Sequence, residues 1–261
     1  MRYLRLVGTF MGVSAQQELA YGANFGLGLL NTLINVVTGW LGLAIVFGQV
    51  ESIHGWSYAS ALAVLGVYLV VGAVRDLFIS PSLDRLAGLE GDLWRGTLDF
   101  VLLRPINTQF LVSLREWRLL AIFDMLLGFV VIGVAGARVE MTAGQFAAFV
   151  VALLAGLLTL YGVFLLFTSV MFWSPGFLFT WVFNGIFQMA RYPVGVYPGF
   201  LRLLLTWVIP IGVMTTIPAL ALTGEAPGWL LGVVVVFAAG AFLAASSVFR
   251  RALRQYASAS S

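Results

Sequence analysis

Few residues of this 261-residue chain could carry out chemistry, and most of them lie in apolar surroundings. The chain has no cysteine and a single histidine, His54, and all 14 of its basic residues are arginine. Disulfides, thiolate metal ligands and cysteine nucleophiles are therefore excluded. There is no G-x-x-x-x-G-K-[ST] loop and no lysine to contact a phosphate, so we expect no nucleotide-binding site in this chain. We also expect no cofactor and no metal site in it.

Polar side chains recur at helical spacing within two apolar stretches. Two sets follow the i, i+4, i+7 pattern of one helix face: Asn31, Asn35 and Thr38, and then Asn184, Gln188 and Arg191. Polar groups in hydrocarbon are costly unless they are paired or face a cavity. The asparagines, Thr38 and Gln188 are therefore candidates for a substrate path through the membrane. The alternative, which the residues alone leave open, is hydrogen bonding between neighbouring helices.

The segment 76–118 is the one sizeable polar part of the chain. Asp84 lies near its start, and charges of both signs follow further along it: Glu90, Asp92, Arg95, Asp99 and Arg104. Gly88, Gly91 and Gly96 interrupt its amphipathic pattern, which predicts short helices in place of one long helix. Pro105 ends the pattern. We interpret the segment as a docking surface for a cytoplasmic partner; the alternative is a solvated loop packed on itself.

The composition places these residues in a membrane protein. Hydrophobic residues make up 61% of the chain, charged residues 10%, and the mean hydropathy is +1.00. Soluble domains carry about 25% charged residues. Segments of about 20 apolar residues cross the hydrocarbon core of a bilayer. Five stretches meet that length clearly: 27–48, 58–74, 119–136, 145–167 and 229–248.

The arginines predict the orientation of the chain. Most of them cluster in the two terminal segments and in 76–118 with its flank: Arg2, Arg5, Arg75, Arg85, Arg95, Arg104, Arg115, Arg118, Arg250, Arg251 and Arg254. Positive residues favour the cytoplasmic side. We therefore expect both termini to be cytoplasmic, which requires an even number of crossings. Five clear spans and one more within 177–222 predict an all-α membrane protein with six transmembrane helices.

Two further elements complete the predicted architecture. Residues 1–24 place Leu4, Val7 and Phe10 on one helical face and Arg5 on another, which predicts a helix lying in the membrane interface. A helix packed on the base of the protein is the alternative. We expect residues 1–261 to form a single transmembrane domain, with 1–24 as its interfacial helix and 76–118 as its cytoplasmic segment.

The stretch 177–222 is broken by prolines and arginines and allows two layouts. In the first, the fifth span covers 177–190, and 192–220 forms a re-entrant hairpin at the outer face. In the second, 177–197 lies in the inner interface and the fifth span covers 200–221, which keeps Arg191 and Arg202 cytoplasmic. Irregular backbone at membrane depth requires protein or a cavity around it. We favour the re-entrant layout.

The run from Arg95 to Pro105, RGTLDFVLLRP, resembles the G-x-L-D-x-x-L-L-x-P segment of type-2 ABC exporter permeases. The six spans, the N-terminal helix and the prolines before the last span are similar to those of the bacterial members that are encoded as pairs beside one ATPase. One position departs from the pattern. These permeases often carry an arginine two residues after the position of Tyr21, where this chain has Ala23, so any role of that arginine does not carry over.

The resemblance implies a transport subunit in a bacterial cytoplasmic membrane, not an enzyme. It implies that short helices over 84–104, with Asp84, Glu90, Asp92, Arg95, Asp99 and Arg104, couple the chain to separate ABC ATPase subunits, which bind ATP and Mg²⁺. A second permease, identical or homologous, and membrane lipid are further implied partners; no nucleic acid is. The expected cargo is amphipathic or lipid-like.

Two other functions compete with this expectation. A membrane enzyme acting on lipids needs a nucleophile, a metal cluster or an acid/base pair at membrane depth, and the sequence offers one peripheral histidine and no clustered carboxylates there. An ion-coupled secondary carrier usually shows internal repeats and buried ionisable groups, and we find no repeat.

Overall fold

The computed structural model describes residues 2–20, 22–88, 90–174 and 179–256. Within these ranges the chain is helical and forms no β-strand, which confirms the all-α prediction. Parts of the predicted ranges lie outside the described residues: residue 1 and Tyr21 in the N-terminal helix, residue 89 in the segment 76–118, residues 177–178 at the start of the fifth span, and residues 257–261 at the end of the predicted domain.

Thirteen α-helices follow one another along the described chain. They are α1 Arg2–Leu19, α2 Gly22–Phe47, α3 Tyr58–Val74, α4 Ser80–Ala87, α5 Asp92–Arg95, α6 Leu98–Leu102, α7 Thr108–Leu114, α8 Ala121–Gly136, α9 Ala143–Val170, α10 Phe179–Phe187, α11 Gly199–Leu203, α12 Ile217–Thr223 and α13 Gly228–Gln255. Wider π-helical turns cover Arg75–Ile79, Leu204–Val208 and Gly212–Thr216, and 3₁₀ turns cover Gln188–Arg191 and Val194–Val196.

Four described helices are long and apolar enough to cross a membrane: α2 over Gly26–Phe47, the helix that begins at Tyr58, α9 and α13. The pair Gly199–Val208 and Gly212–Thr223 reaches that length together, but its two arms are bent by 78°. The structure thus contains four to five candidate spans. The six predicted spans would also need α8, which has 16 residues, and α10, which has nine described residues.

Helix α3 lies at the centre of the bundle, with Val64, Leu65 and Val67 fully buried. It packs most closely on α8 through two facing glycines. A Cβ added to Gly66 would lie 2.9 Å from the backbone nitrogen of Ile132, and one added to Gly128 would lie 2.9 Å from that of Val70. Small residues of this kind let membrane helices approach until their backbones touch.

The segment 194–225 leaves one end of the bundle and returns to it. At its start, Gly195 lies so close to Trp56 that an added Cβ would be 2.5 Å from the indole Nε1. At its end, Ser60 Oγ donates a hydrogen bond to the carboxylate of Glu225. Trp56 and Ser60 flank the start of α3. The bend of 78° excludes one straight helix over 200–221 and fits either a broken span or a re-entrant loop, so the re-entrant layout stays a prediction.

Helix α1 packs against the protein. Ser14 is buried and its Oγ accepts a hydrogen bond from the Trp117 N–H (3.1 Å), while the Glu18 carboxylate accepts one from the Leu120 N–H (3.2 Å). Leu4, near the other end, is 78% exposed. Packing on the base of the protein, the alternative left open by the sequence, therefore describes the second half of α1, and contact with lipid remains a prediction for the first half.

Candidate functional site

The segment between α3 and α8 is organised around a buried carboxylate. Asp92, at the start of α5, accepts hydrogen bonds from Arg115 and from the Thr97 hydroxyl (2.7 Å). Gly96 ends α5 in the left-handed region, at φ 64°, which glycine adopts without strain. Because Asp92 is only 6% exposed, it shapes the segment from within and does not face a partner.

Asp84 joins the same segment to the membrane helices. Its two carboxylate oxygens accept hydrogen bonds from the Ser80 hydroxyl (2.9 Å) and from the Thr180 hydroxyl of α10 (2.7 Å). Asp84 therefore links α4 directly to α10. Ser80, the first residue of α4, holds the Asp84 carboxylate from within the same helix.

The outer surface of α5 and α6 mixes apolar and charged side chains. Phe100 is 69% and Leu103 80% exposed. We call the exposed side chains of these two helices and their flanks the coupling tip: Glu90, Trp94, Arg95, Phe100, Leu103 and Arg104. Glu90 and Arg95 pair with each other at 2.6 Å. Exposed apolar groups with a polar rim mark protein interaction sites.

A second polar contact ties the segment to α9 and α13. The Gln109 amide of α7 donates to the Tyr161 hydroxyl (3.2 Å) and to Ser246 Oγ (3.0 Å), and Ser113 bonds to Tyr161 at 2.8 Å. Tyr161 belongs to α9 and Ser246 to α13. These residues were not predicted, although a tyrosine and a serine within apolar helices hinted at them.

The end of α13 also approaches the coupling tip. Burial raises the pKa of the Tyr256 phenol, and the carboxylates of Asp99 and Asp92 raise it further. The Tyr256 hydroxyl is buried and has no hydrogen-bond partner among the described residues. Asp99, which is half-buried, is therefore near enough to Tyr256 at the end of α13 to act on it electrostatically.

A polar cavity of about 470 Å³ opens between α2, α3, α8 and the turn after α10. The polar side chains that line it are Asn31, Thr32, Asn35, Tyr68, Arg75, Asp76, Arg118, Asp124, Gln188 and Arg191. Three predicted path residues, Asn31, Asn35 and Gln188, thus meet in one place. Thr38 is not among the lining residues.

Asn184 lies elsewhere, in a second cavity of about 410 Å³ that it shares with Asp84 and Thr180. Its Oδ1 is buried and has no hydrogen-bond partner among the described residues. Sequence spacing placed Asn184 and Gln188 on one face. The chain changes from α to 3₁₀ geometry at Gln188, and the two side chains line different cavities.

The arginines of the polar cavity are held in different ways. Arg75 forms two hydrogen bonds of 2.9 Å to its neighbour Asp76, and its guanidinium lies 4.9 Å from the centre of the Phe187 ring. Arg191 lies 5.7 Å from the centre of the Tyr68 ring, and its Nε is buried without a hydrogen-bond partner among the described residues. Sequence analysis assigned no role to either arginine in a site.

Comparison with known families identifies the family of the chain. Its residues 33–260 match the family described as ABC-2 family transporter protein. The chain belongs to this family. The match confirms the resemblance carried by RGTLDFVLLRP and covers most of the chain. No curated protein matches the chain.

Membership makes the chain an ABC-2 permease, the membrane subunit of an ABC transporter and not itself the catalytic one. This assignment replaces the lipid-modifying enzyme and the secondary carrier as explanations of the fold. No group of three or more His, Cys, Asp or Glu side chains that could hold a metal occurs in the described part of the permease.

Proposed function

We propose that this ABC-2 permease is the transport subunit of an ATP-driven exporter, moving an amphipathic or lipid-like substrate out of the cytoplasm or across the bilayer. ATP and Mg²⁺ bind to partner ABC ATPase subunits. The observation that carries the proposal is the coupling tip: exposed apolar residues on a segment that is hydrogen-bonded to three membrane helices, α9, α10 and α13.

The coupling tip supplies the contact with the ATPase. Leu103 and Phe100 would lose their exposed apolar surface to a groove of the partner, and Arg95 and Arg104 would lie at its polar rim. Asp99 and Asp92 act from inside, because they hold the two short helices in position. A buried apolar centre with a charged rim is the usual arrangement of a specific protein interface.

Force passes from the coupling tip to the membrane through two polar contacts. Closure of the ATPase subunits displaces α4 to α7 as a unit, because the Asp92–Arg115 pair holds them together. The Asp84–Thr180 hydrogen bond carries the displacement to α10, and Gln109 carries it to α9 and α13. The walls of the polar cavity include the turn after α10, so its shape changes with each cycle.

A second permease, identical or homologous, covers α2. Only 22% of the most apolar part of α2 is buried, and Asn31, Asn35 and Thr38 are exposed on it. Exposed amides are costly in lipid. A facing permease would enclose them and close the polar cavity into a path between the two subunits, lined by Asn31, Asn35 and Gln188, with Thr38 and Asn184 at its margins.

The membrane placement follows from the arginines. The segment 76–118, which we call the coupling segment, and both termini lie in the cytoplasm of a bacterial cell. The chain crosses the cytoplasmic membrane six times, with α8 and α10 among the crossings. The hairpin over 194–225 then dips into the membrane from the outer face. Pro210, Pro218 and the π-helical turn Gly212–Thr216 are buried there, and this turn packs on α3 and α9, as irregular backbone at membrane depth requires.

Purification of the tagged permease in mild detergent tests the proposal. We expect an ABC ATPase to co-purify with it and the complex to hydrolyse ATP, whereas the permease stripped of its partner should have no such activity. Recovery of the intact permease without an ATPase, under conditions in which other membrane complexes of the same cell stay assembled, would contradict the proposal.

A further inference from the structure

We propose that the polar cavity binds the phosphate headgroup of an anionic amphiphile, with Arg191 as the main ligand. This inference rests on the proposed function and adds a substrate class to it. The cavity of about 470 Å³ suits a headgroup, since small-molecule sites measure about 300–1,000 Å³. Apolar chains of the substrate would stay outside it, along the exposed apolar side chains of α2.

The charges that line the cavity do not balance. Three arginines, Arg75, Arg118 and Arg191, face it together with two carboxylates, those of Asp76 and Asp124. Arg75 is held by Asp76 through two hydrogen bonds. Arg118 is within electrostatic reach of the Asp124 carboxylate, although the two form none of the salt bridges found among the described residues. One positive charge, that of Arg191, is left without a carboxylate among the described residues.

Arg191 is placed to receive an anion. Its Nε is buried without a hydrogen-bond partner among the described residues, and the Tyr68 ring lies beneath its guanidinium, 5.7 Å away. A cation–π contact supports the charge but leaves the N–H donors unused. An arginine at membrane depth is costly unless it meets a partner or a water-filled cavity. A phosphate can accept two parallel hydrogen bonds from one guanidinium, which matches these free donors.

The neutral residues of the cavity fit the same ligand. Asn31, Asn35 and Gln188 carry amide N–H₂ groups that can donate to the remaining phosphate oxygens or to a glycerol hydroxyl. Asn31 and Asn35 are exposed, and so is Gln188, which leaves them available. A cavity with donors on opposite walls and one uncompensated cation selects an anionic headgroup over a zwitterionic one.

Lipid retention by the purified transporter complex tests the inference. The complex is reconstituted in nanodiscs made from equal parts of phosphatidylcholine and phosphatidylglycerol, extracted into detergent, and its retained lipids are counted by native mass spectrometry. We expect retention of phosphatidylglycerol in preference to phosphatidylcholine. Arg191→Gln should lower that preference about tenfold or more, because a charge-assisted hydrogen bond is lost. Equal retention of the two lipids by the unmodified complex would overturn the inference.

Arg138→Gln is the matched control. Arg138 also stacks on a tyrosine, at 5.0 Å from the ring centre of Tyr58, but it follows α8 and does not line the cavity. Its replacement should leave the lipid preference unchanged. A loss as large in Arg138→Gln as in Arg191→Gln would show that the preference comes from general surface charge, and would contradict the inference.

Asn35→Asp covers the case in which Arg191→Gln does not fold. Asn35 lines the cavity and is not buried within the chain, so the change adds a negative charge to the cavity and should repel the headgroup. Because the proposed second permease would enclose Asn35, assembly of the variant complex is checked by size-exclusion chromatography. An unchanged preference in Asn35→Asp would count against the inference. Addition of glycerol 3-phosphate separates two sources of the phosphate: displacement of the retained lipid indicates that a soluble phosphate competes for the site, and no displacement indicates a lipid.

The two proposals fail in different ways. A complex that contains the ATPase and hydrolyses ATP but retains both lipids equally would agree with the proposed function and contradict the anion site. A permease with which no ATPase co-purifies, but which still retains phosphatidylglycerol through Arg191, would agree with the anion site and contradict the exporter assignment.

Discussion

Asp92 and Arg115 form an ion pair inside the coupling segment, with side chains only 8% and 12% exposed. They lie 23 positions apart in the sequence, so the pair closes the short helices α5 to α7 into one unit. Nε and Nη2 of Arg115 are buried and have no hydrogen-bond partner in the described residues. Asp92 is therefore what compensates the charge of Arg115.

Asp92→Ala should destabilise the permease strongly. The change leaves the Arg115 charge buried without its partner, which typically costs about 3–5 kcal/mol. A lower thermal unfolding temperature of the detergent-solubilised protein would report it. Glu90→Ala is the control: Glu90 pairs with Arg95 at the surface, where a pair contributes about 1 kcal/mol at most. Equal effects of the two substitutions would refute the structural role assigned to Asp92.

Leu103→Asp should weaken binding of the ATPase. The change places a charge at the most exposed apolar position of the coupling tip, which a partner groove would have to desolvate, and we expect at least a tenfold loss of co-purified ATPase. Leu4→Asp is the control, since Leu4 is almost as exposed (78% against 80%) but lies on α1. If Leu103→Asp does not change the amount of co-purified ATPase, the docking site does not include α6.

Thr180→Val should uncouple ATP hydrolysis from transport. It removes the hydrogen bond between α10 and the Asp84 carboxylate, a contact to a charged group with a typical contribution of about 1.5–3 kcal/mol. Transport per ATP hydrolysed should fall while basal hydrolysis remains. Thr206→Val provides a matched change, because the Thr206 hydroxyl bonds only to the Arg202 carbonyl of its own helical segment. Thr206→Val should keep the wild-type ratio of transport to ATP hydrolysis.

Gly128→Ala should destabilise the contact between α3 and α8. The added Cβ would lie 2.9 Å from the Val70 backbone nitrogen, and overpacking of this kind costs about 1–3 kcal/mol. Gly133→Ala, in the same helix, adds its Cβ to open space and should be neutral or slightly stabilising. Unfolding in detergent measures both. A neutral Gly128→Ala would mean that the two helices do not approach as closely as described.

Arg202→Cys should react with a membrane-impermeant thiol reagent added outside intact cells. The chain has no cysteine, so the introduced thiol is the only one. Arg202 lies in α11, in the segment whose two ends contact the start of α3. Arg250→Cys, at the predicted cytoplasmic end of α13, should react only after permeabilisation. If Arg202→Cys also required permeabilisation, the hairpin would lie on the inner side.

The sequence by itself determined the class of the protein, its helical content and the position of the polar segment 76–118, whose coupling role stays a prediction. These properties depend on composition, on apolar stretches and on a local motif such as RGTLDFVLLRP, all of which are short-range. The polar residues Asn31, Asn35 and Gln188 were also found in this way. The number of spans was harder to predict from the sequence, because α8 and α10 are short and the stretch before α13 is bent.

Tertiary structure alone decided which of these residues act together. Arg75 and Asp76 line one cavity with Arg191, which is far from them in the sequence. Asn184 was expected beside Gln188 and lines another cavity. Asp92 was expected at the surface and is buried with Arg115. In each case the deciding factor is packing between segments that are distant in the sequence, which the periodicity of the sequence does not encode.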